Sequence, residues 1–419
     1  MAWIDATLTA ARPQVLGALL RYFRVLDTAE DAYQEACLRA LKTWPLKGPP
    51  RDPAAWLIFV GRNFTLDEIR RRNKSTSLPD DDDIEPEPLD TQSELADRLD
   101  ESHYRDDILR LLFVCCHPDL AASQQIALAL RIVSGLTVKE IARAFLVGES
   151  AMEQRITRAK ARITAADVPF ETPGAPERAE RLAAVSTMIY LLFNEGYAAS
   201  GGTAHIRVPL CEEAIRLGRL LLRLFLGNSE IMGLLALMIL QHARAGARLD
   251  AENNIVLLED QERSRWDSGL IAEGLALIEK AIRHHQVGPF QIQAAIAAVH
   301  SQAKSAAATD WAEIERLYQI LEVLQPSPVV TLNRSVAVAK LRGPEDALAM
   351  IEPLAGKLEG YFYFFGVRGA FLTQLGRNDE ARTAFNRAIA LANTAAEAAH
   401  IRSHLDRLQK DSAQEKGNA

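Results

Sequence analysis

Cysteine is scarce in this chain. Four residues among 419 (Cys37, Cys115, Cys116 and Cys211) cannot staple a protein of this length, which excludes a disulfide framework. Long apolar runs are missing as well. None reaches the roughly 18 residues that a membrane span needs, so no membrane partner is expected. The opening Met1-Ala-Trp-Ile-Asp5 has no basic segment followed by an apolar core, so no signal peptide is read there and a cytoplasmic protein is expected. Catalytic triad, P-loop, Rossmann turn and HExxH patterns are all absent. An enzyme reading is left with scattered His and Glu only, so neither catalysis nor a cofactor is expected.

What is present is helix. Hydrophobic residues make up 48% and charged residues 25%, values typical of globular chains with well-filled cores. The length suits two to four domains. Ala, Leu, Glu and Arg recur at helical spacing while strand signals stay weak, which predicts an all-α fold.

One stretch has the makings of a DNA reader. In Gly135–Ile163, Thr137 can cap a first helix with Glu140 as its reciprocal partner, and Ile141, Ala142 and Phe145 are expected to face inward. A turn through Leu146-Val147-Gly148 uses the backbone freedom of glycine. A second helix starts near Glu149 or Ser150 and buries Met152, Ile156, Ala159 and Ile163. Six bases (Lys139, Arg143, Arg155, Arg158, Lys160, Arg162) against three acids (Glu140, Glu149, Glu153) give residues 136–163 a charge of +3, whereas the whole chain carries −7. A local positive stripe on an acidic protein fits phosphate neutralisation. It also fits an ordinary helical hairpin with a solvated basic face.

Residues 5–74 predict three further helices. The first covers about Thr7 to Val25. The second runs from Asp27-Thr28 to Trp44, with Ala32, Ala36, Leu38 and Leu41 on a packed face and Asp31, Gln34, Glu35 and Arg39 on a polar one. The Pro-rich stretch from Pro45 to Pro53 is expected to be a loop. The third helix opens after Pro53. Between Val60 and Lys74, five bases (Arg62, Arg70, Arg71, Arg72, Lys74) against two acids (Asp67, Glu68) again give +3, part of which serves the helix macrodipole.

Three segments in this order resemble bacterial extracytoplasmic-function sigma factors of the sigma-70 family. Ala29–Trp44 is similar to their core-polymerase-binding helix, Ala55–Arg72 to their promoter −10 helix, and Gly135–Ile163 to their −35 helix-turn-helix. Together they span about the first 165 residues. The resemblance implies that Asp31, Gln34, Glu35 and Arg39 meet the polymerase clamp. It implies that Trp56, Arg62, Asn63, Asp67, Arg70 and Arg71 line the melted −10 strand, and that Gln154, Arg155, Arg158 and Lys160 enter the −35 major groove. Core RNA polymerase and promoter DNA are the partners so implied. The family's turn commonly has Leu-Gly-Val, whereas this chain has Phe145-Leu146-Val147 with Gly148 one place late.

Between the two DNA-facing blocks, Pro79–Glu101 holds eleven acids and one base, Arg98, for a charge of −10. Self-repulsion and proline make this a linker, and the family likeness implies that it threads polymerase channels. The string Leu111-Leu-Phe-Val-Cys-Cys-His-Pro118 invites a metal reading. Adjacent cysteines and one histidine suit a closed zinc site poorly, so no metal is expected and a buried helix end stopped by Pro118 is favoured. The same string resembles a subgroup of these factors with a long helical C-terminal extension.

That extension follows a proline-rich hinge at residues 167–176. Ala347, Ile351 and Leu354 stand 34 residues before Ala381, Phe385 and Ala388, as Val338 does before Leu372 and Arg334 before Arg368. Gly369, Leu372, Gly376, Ala381, Phe385 and Ala388 fall at tetratricopeptide spacing. A helical solenoid is therefore expected, best defined after about Asp310, with a concave groove suited to a regulatory protein or peptide. Two strings stand out within it: Phe193-Asn-Glu-Gly-Tyr-Ala-Ala-Ser-Gly-Gly202, in which the glycines break a helix pair, and Leu257–Trp266. Either could be a ligand site, although such charges more often form an interdomain salt-bridge network. The domain reading is 1–74, 75–103, 104–166, 167–176, 177–410 and a polar tail at 411–419. The rival readings are an operator-binding helix-turn-helix regulator with a helical effector domain, and a helical enzyme or scaffold.

Overall fold

The computed structural model describes residues 2–48, 50–74, 101–145, 147–166, 175–197, 208–250, 254–392 and 394–417. The acidic linker to residue 100 and most of the hinge lie outside these residues. The fold is all-α. Among the described residues there is no β-strand, only an isolated bridge between Leu249 and Ile255. The chain forms two compact units, Met1–Leu191 and Leu192–Ala419.

In the first unit, α1 (Ala2–Phe23), α2 (Leu26–Lys47) and α3 (Pro53–Lys74) pack on one another. Helix α2 turns a stripe of small residues inward: Ala29, Ala32, Ala36 and Ala40 are all fully buried. With so little side chain between them the backbones come close, and a Cβ on Gly61 of α3 would stand 2.7 Å from the Ala32 carbonyl oxygen. Trp44 closes the end of this core, stacked on Trp3 at 6.2 Å and met edge-on by Trp56 at 5.4 Å.

Two expectations fail along α2. The helix does not stop at Pro45 but continues to Lys47. Proline removes only its own N–H and crowds one carbonyl behind it, which a last turn tolerates. Termination falls instead to Gly48, whose φ of +76° ends the helix while its N–H donates to the Trp44 carbonyl at 2.9 Å. Leu38 and Leu41, assigned to the packed face, are 53% and 47% exposed. The alanine stripe already fills the contact with α1 and α3.

The second half of this unit comprises α4 (Glu101–Cys115), α5 (Ala122–Ile132), α6 (Val138–Ala144) and α7 (Glu149–Ala165). Cys115 and Cys116 are buried at the end of α4, as the Pro118 stop implied. Both thiols are pushed up by burial, Cys116 to about 12. Helix α4 lies against α1, where a Cβ on Gly17 would meet the Asp107 carbonyl oxygen at 2.8 Å.

The second unit starts at the end of α8 (Ala175–Tyr197). Helix α10 (Ser229–His242) is apolar all round and buried from Ile231 to Leu240, as such a pattern requires. It packs against α9 (Val208–Leu224), α11 (Ser268–Ile282) and α12 (Pro289–Gln302). Thereafter each helix packs chiefly on its neighbours in sequence: α13 (Trp311–Leu324), α14 (Pro328–Arg342), α15 (Pro344–Ile351), α16 (Phe362–Gln374), α17 (Asn378–Leu391) and α18 (Ala395–Gly417). Helices α14 and α16 start 34 residues apart, as do α15 and α17. Ala347 and Ala381, like Ile351 and Phe385, are buried at matching places. Gly369 lies so close to Phe385 that a Cβ there would stand 2.5 Å from the ring. The glycine of Phe193–Gly202 nearest the helix does not break a helix pair. Gly196 lies inside α8, where a Cβ would meet the Cys211 backbone nitrogen at 2.8 Å.

Candidate functional site

The helix-turn-helix forms as its local signals dictate. Glu140 accepts from the Thr137 N–H at 2.7 Å, and the Glu140 N–H donates to Thr137 Oγ1 at 3.2 Å. The carboxylate also accepts from the Thr137 hydroxyl at 2.8 Å, and its two bonds from Thr137, backbone N–H first, hold it below the ordinary carboxylate range. Ile141 and Ala142 are buried and Phe145 half-buried. Gly148 is not used for its freedom. It caps α7 with φ −66° and ψ 146°, and a Cβ there would touch nothing within 4 Å, so the displaced glycine imposes nothing on the register of α7. Leu146 lies outside the described residues.

Helix α7 buries Met152, Ile156, Ala159 and Ile163. Gln154 and Arg158 are exposed and joined by a hydrogen bond of 3.5 Å, and Arg155 is half-buried on the same side. Lys160 goes elsewhere. Its Nζ reaches Asp27 Oδ1 at 2.8 Å and makes a closer contact with Glu30 Oε2, both on α2. Burial lowers the ammonium pKa, but the hydrogen bonds to Asp27 and Glu30 outweigh it and the net shift is upward.

Glu30 is the residue that sequence reasoning missed. Its side chain is only 4% exposed, and Arg12 of α1 (3.6 Å), Arg131 of α5 (4.0 Å) and Lys160 of α7 surround it. Arg12 also donates to the carbonyls of Ile132 (3.0 Å) and Arg131 (3.2 Å) at the end of α5 and lies 4.9 Å from the Tyr33 ring. A second buried acid, Asp107 of α4, has Arg21 of α1 at 3.5 Å. The only hint in the sequence was that Glu30, unlike its neighbour Asp31, falls on the same helical face as the alanine stripe.

Asp31, Gln34, Glu35 and Arg39 share the outer face of α2, where Arg39 pairs with Glu35 at 3.1 Å and covers the Phe64 ring at 4.9 Å. The exposed Leu38 and Leu41 interleave with them. On α3, Arg62 lies over Tyr22 at 5.7 Å and donates to Asn63 Oδ1 at 3.4 Å, while Asp67 is exposed. Trp56 is half-buried against Trp44, so it serves the core and still offers an edge. The side chains of Arg70 and Arg71 lie outside the described residues. The structure thus places Asp31, Gln34, Glu35 and Arg39 on one face of α2 and Gln154, Arg155 and Arg158 on one face of α7, while Lys160 of α7 is paired with Asp27 and Glu30.

Comparison with known families gives these helices their class. Residues 8–75 match sigma-70 region 2, residues 110–163 match sigma-70 region 4, and residues 181–282 match a family of unknown function (DUF6596). The chain belongs to the sigma-70 family of RNA polymerase factors. An uncharacterised protein of Rhizobium meliloti (strain 1021) is 65% identical over 416 residues, covering 98% of this chain and 97% of that one. The two regions bring core RNA polymerase and promoter DNA as partners. Factors of this family serve transcription initiation and are not enzymes. Among the described residues, no helix is long and apolar enough to cross a membrane.

Proposed function

We propose that the protein is an alternative sigma factor in the cytoplasm that directs core polymerase to promoters with both −10 and −35 elements. The observation that carries this reading is the pairing of two faces in one unit. One is an outer α2 face mixing Asp31, Gln34, Glu35 and Arg39 with exposed Leu38 and Leu41. The other is an α7 face presenting Gln154, Arg155 and Arg158. Solvent-facing leucines among charges suit a protein partner, since the centre of an interface is apolar and its rim polar. The α7 guanidiniums suit guanine edges and phosphates in the major groove. Trp56, Arg62, Asn63 and Asp67, with Arg70 and Arg71 further along α3, would hold the opened −10 strand by stacking and polar contacts. Lys160 joins the −35 set only once its pairs with Asp27 and Glu30 open.

We propose further that the second unit is a tetratricopeptide-like solenoid that regulates the factor and takes a regulatory protein or peptide in its groove. The 34-residue spacing of helix starts supports this. The tests are direct. Purified core polymerase retained by the tagged full chain, and promoter-specific transcription from the reconstituted mixture, are expected. Tight duplex binding with no polymerase retention would mean an operator-binding regulator instead. Truncation after about residue 170 is expected to alter promoter-directed transcription, and unchanged output would remove the regulatory role.

A further inference from the structure

The two strings singled out separately in the second unit converge in space. Tyr197, at the end of α8, accepts a hydrogen bond from Arg244 Nη2 on its hydroxyl at 2.7 Å and one from Arg248 Nη1 on its carbonyl. The Arg248 guanidinium lies 3.5 Å from the Tyr197 ring centroid. Arg244 and Arg263 lie 5.9 Å and 4.6 Å from the centre of one indole, that of Trp266. Arg263 is anchored by the carbonyls of His300 in the last turn of α12 and of Ala303 just after it.

Three guanidiniums thus crowd around two aromatic rings, and their anchors are a hydroxyl and backbone carbonyls. Among the described residues, none of the three forms an ion pair with a carboxylate. The acids near them in sequence accept hydrogen bonds elsewhere: Asp250 from the Asn254 N–H at 2.7 Å, Glu262 from Ser264 Oγ at 2.6 Å, and Asp267 from the Leu270 N–H at 2.9 Å, where it caps α11. Burial lowers the pKa of Arg248 and Arg263, and the field of Arg244 lowers both further. Burial and then the fields of Arg244 and Arg263 bring His300 down to about 4, so it stays neutral at pH 7. The indole N–H of Trp266, on a residue only 6% exposed, has no hydrogen-bond partner among the described residues. Like charges gathered in a partly dry place, beside an unused buried donor, lack their counter-charge.

We propose that Arg244, Arg248, Arg263 and Trp266 form a binding site for the phosphoryl group of a phosphorylated small molecule. Guanidinium donors match phosphate oxygens in pairs. A cluster of three positive charges favours a multiply charged phosphate over a monocarboxylate. The site lies wholly in the second unit and does not depend on the sigma-factor reading.

Titration calorimetry of the full-length protein with phenyl phosphate, pyrophosphate, inorganic phosphate and acetate at constant ionic strength tests it. Saturable binding of phenyl phosphate, at least tenfold tighter than acetate, is expected. Binding equal to that of inorganic phosphate would make free phosphate the source of the group. R244Q removes one donor set and no backbone anchor, and W266F keeps an aromatic ring but loses the N–H. Each is expected to weaken phenyl phosphate binding, by tenfold or more in R244Q, with the melting temperature confirming that the variant is folded. Should R244Q unfold, W266F carries the test. No saturable binding of any phosphate probe, or wild-type affinity in the folded variants, would overturn the site. A phosphoserine peptide binding tenfold tighter than every small probe would overturn the small-molecule assignment.

Discussion

Replacing Glu30 by alanine is the sharpest probe of how the first unit is held together. The carboxylate is nearly dry and answers three cations: Arg12 at 3.6 Å, Arg131 at 4.0 Å, and Lys160 in closer contact. Removing one member of a buried ion pair costs about 3–5 kcal/mol, because the remaining charges stay desolvated without compensation. Here the cations keep other anchors. Lys160 retains Asp27 at 2.8 Å, and Arg12 retains the carbonyls of Ile132 and Arg131. The expected cost is therefore about 3 kcal/mol, or roughly a hundredfold in an opening equilibrium. Hydrogen-exchange protection should fall by that factor in α2, α5 and α7 together, since the carboxylate joins all three. E35A, at the exposed pair with Arg39, should change protection by less than about 1 kcal/mol. E30A and K160A should also be non-additive by about 1–3 kcal/mol in a double-mutant cycle. Simple additivity, or a loss of protection confined to α2, would refute the idea that Glu30 docks α2 on α5 and α7.

Four further outcomes are expected. Gly369→Ala should destabilise the second unit by about 1–3 kcal/mol, because the new Cβ would press on the buried Phe385 ring, and chemical denaturation will register it. Stability should also fall in acid through His300. Its folded pKa of about 4 lies below the ordinary 6.5, so the unfolded chain takes up the proton first; the contribution is full above about pH 6.5 and is lost as pH falls toward 4. Between pH 7.5 and 5 the wild type should lose about 2 kcal/mol more than H300Q, and parallel curves would contradict this. Leu38→Glu should leave thermal stability within about 0.5 kcal/mol, because the side chain is exposed, yet weaken polymerase retention by about tenfold or more. Arg158→Ala should lower the salt dependence of −35 duplex binding by about one unit if the guanidinium meets a phosphate, as a titration across salt concentrations will reveal.

Local chemistry was the legible part of this chain. The Thr137–Glu140 box and the inward set Met152, Ile156, Ala159 and Ile163 involve residues a few positions apart, and the structure has them as expected. Leu38 and Leu41 were misplaced for a physical reason: helical periodicity reports which residues share a face, not whether a core or an absent partner covers it. Pro45 was over-weighted because its penalty depends on position within the helix. Gly148 was over-weighted because glycine can also serve where any residue fits. Glu30 with Arg12, Arg131 and Lys160 was out of reach, since those partners are separated by about a hundred residues or more, except for Arg12. Tyr197 and Trp266 were both noticed, but only folding brings Arg244 to both of them.

The capture of Lys160 by α2 also changes what the protein exchanges with its surroundings. An exposed lysine that settles on a phosphate releases the counter-ion condensed there, and that release makes DNA binding sensitive to salt. While Lys160 is occupied by Glu30 and Asp27, α7 has one cation fewer to offer a phosphate. Glu30 is almost dry and Asp27 is 65% exposed, so added salt screens the Asp27 contact far more than the Glu30 contact. On the proposed reading of α7, the ion stoichiometry of duplex binding would count how far this contact has opened: a docked molecule would release about one counter-ion fewer than an opened one.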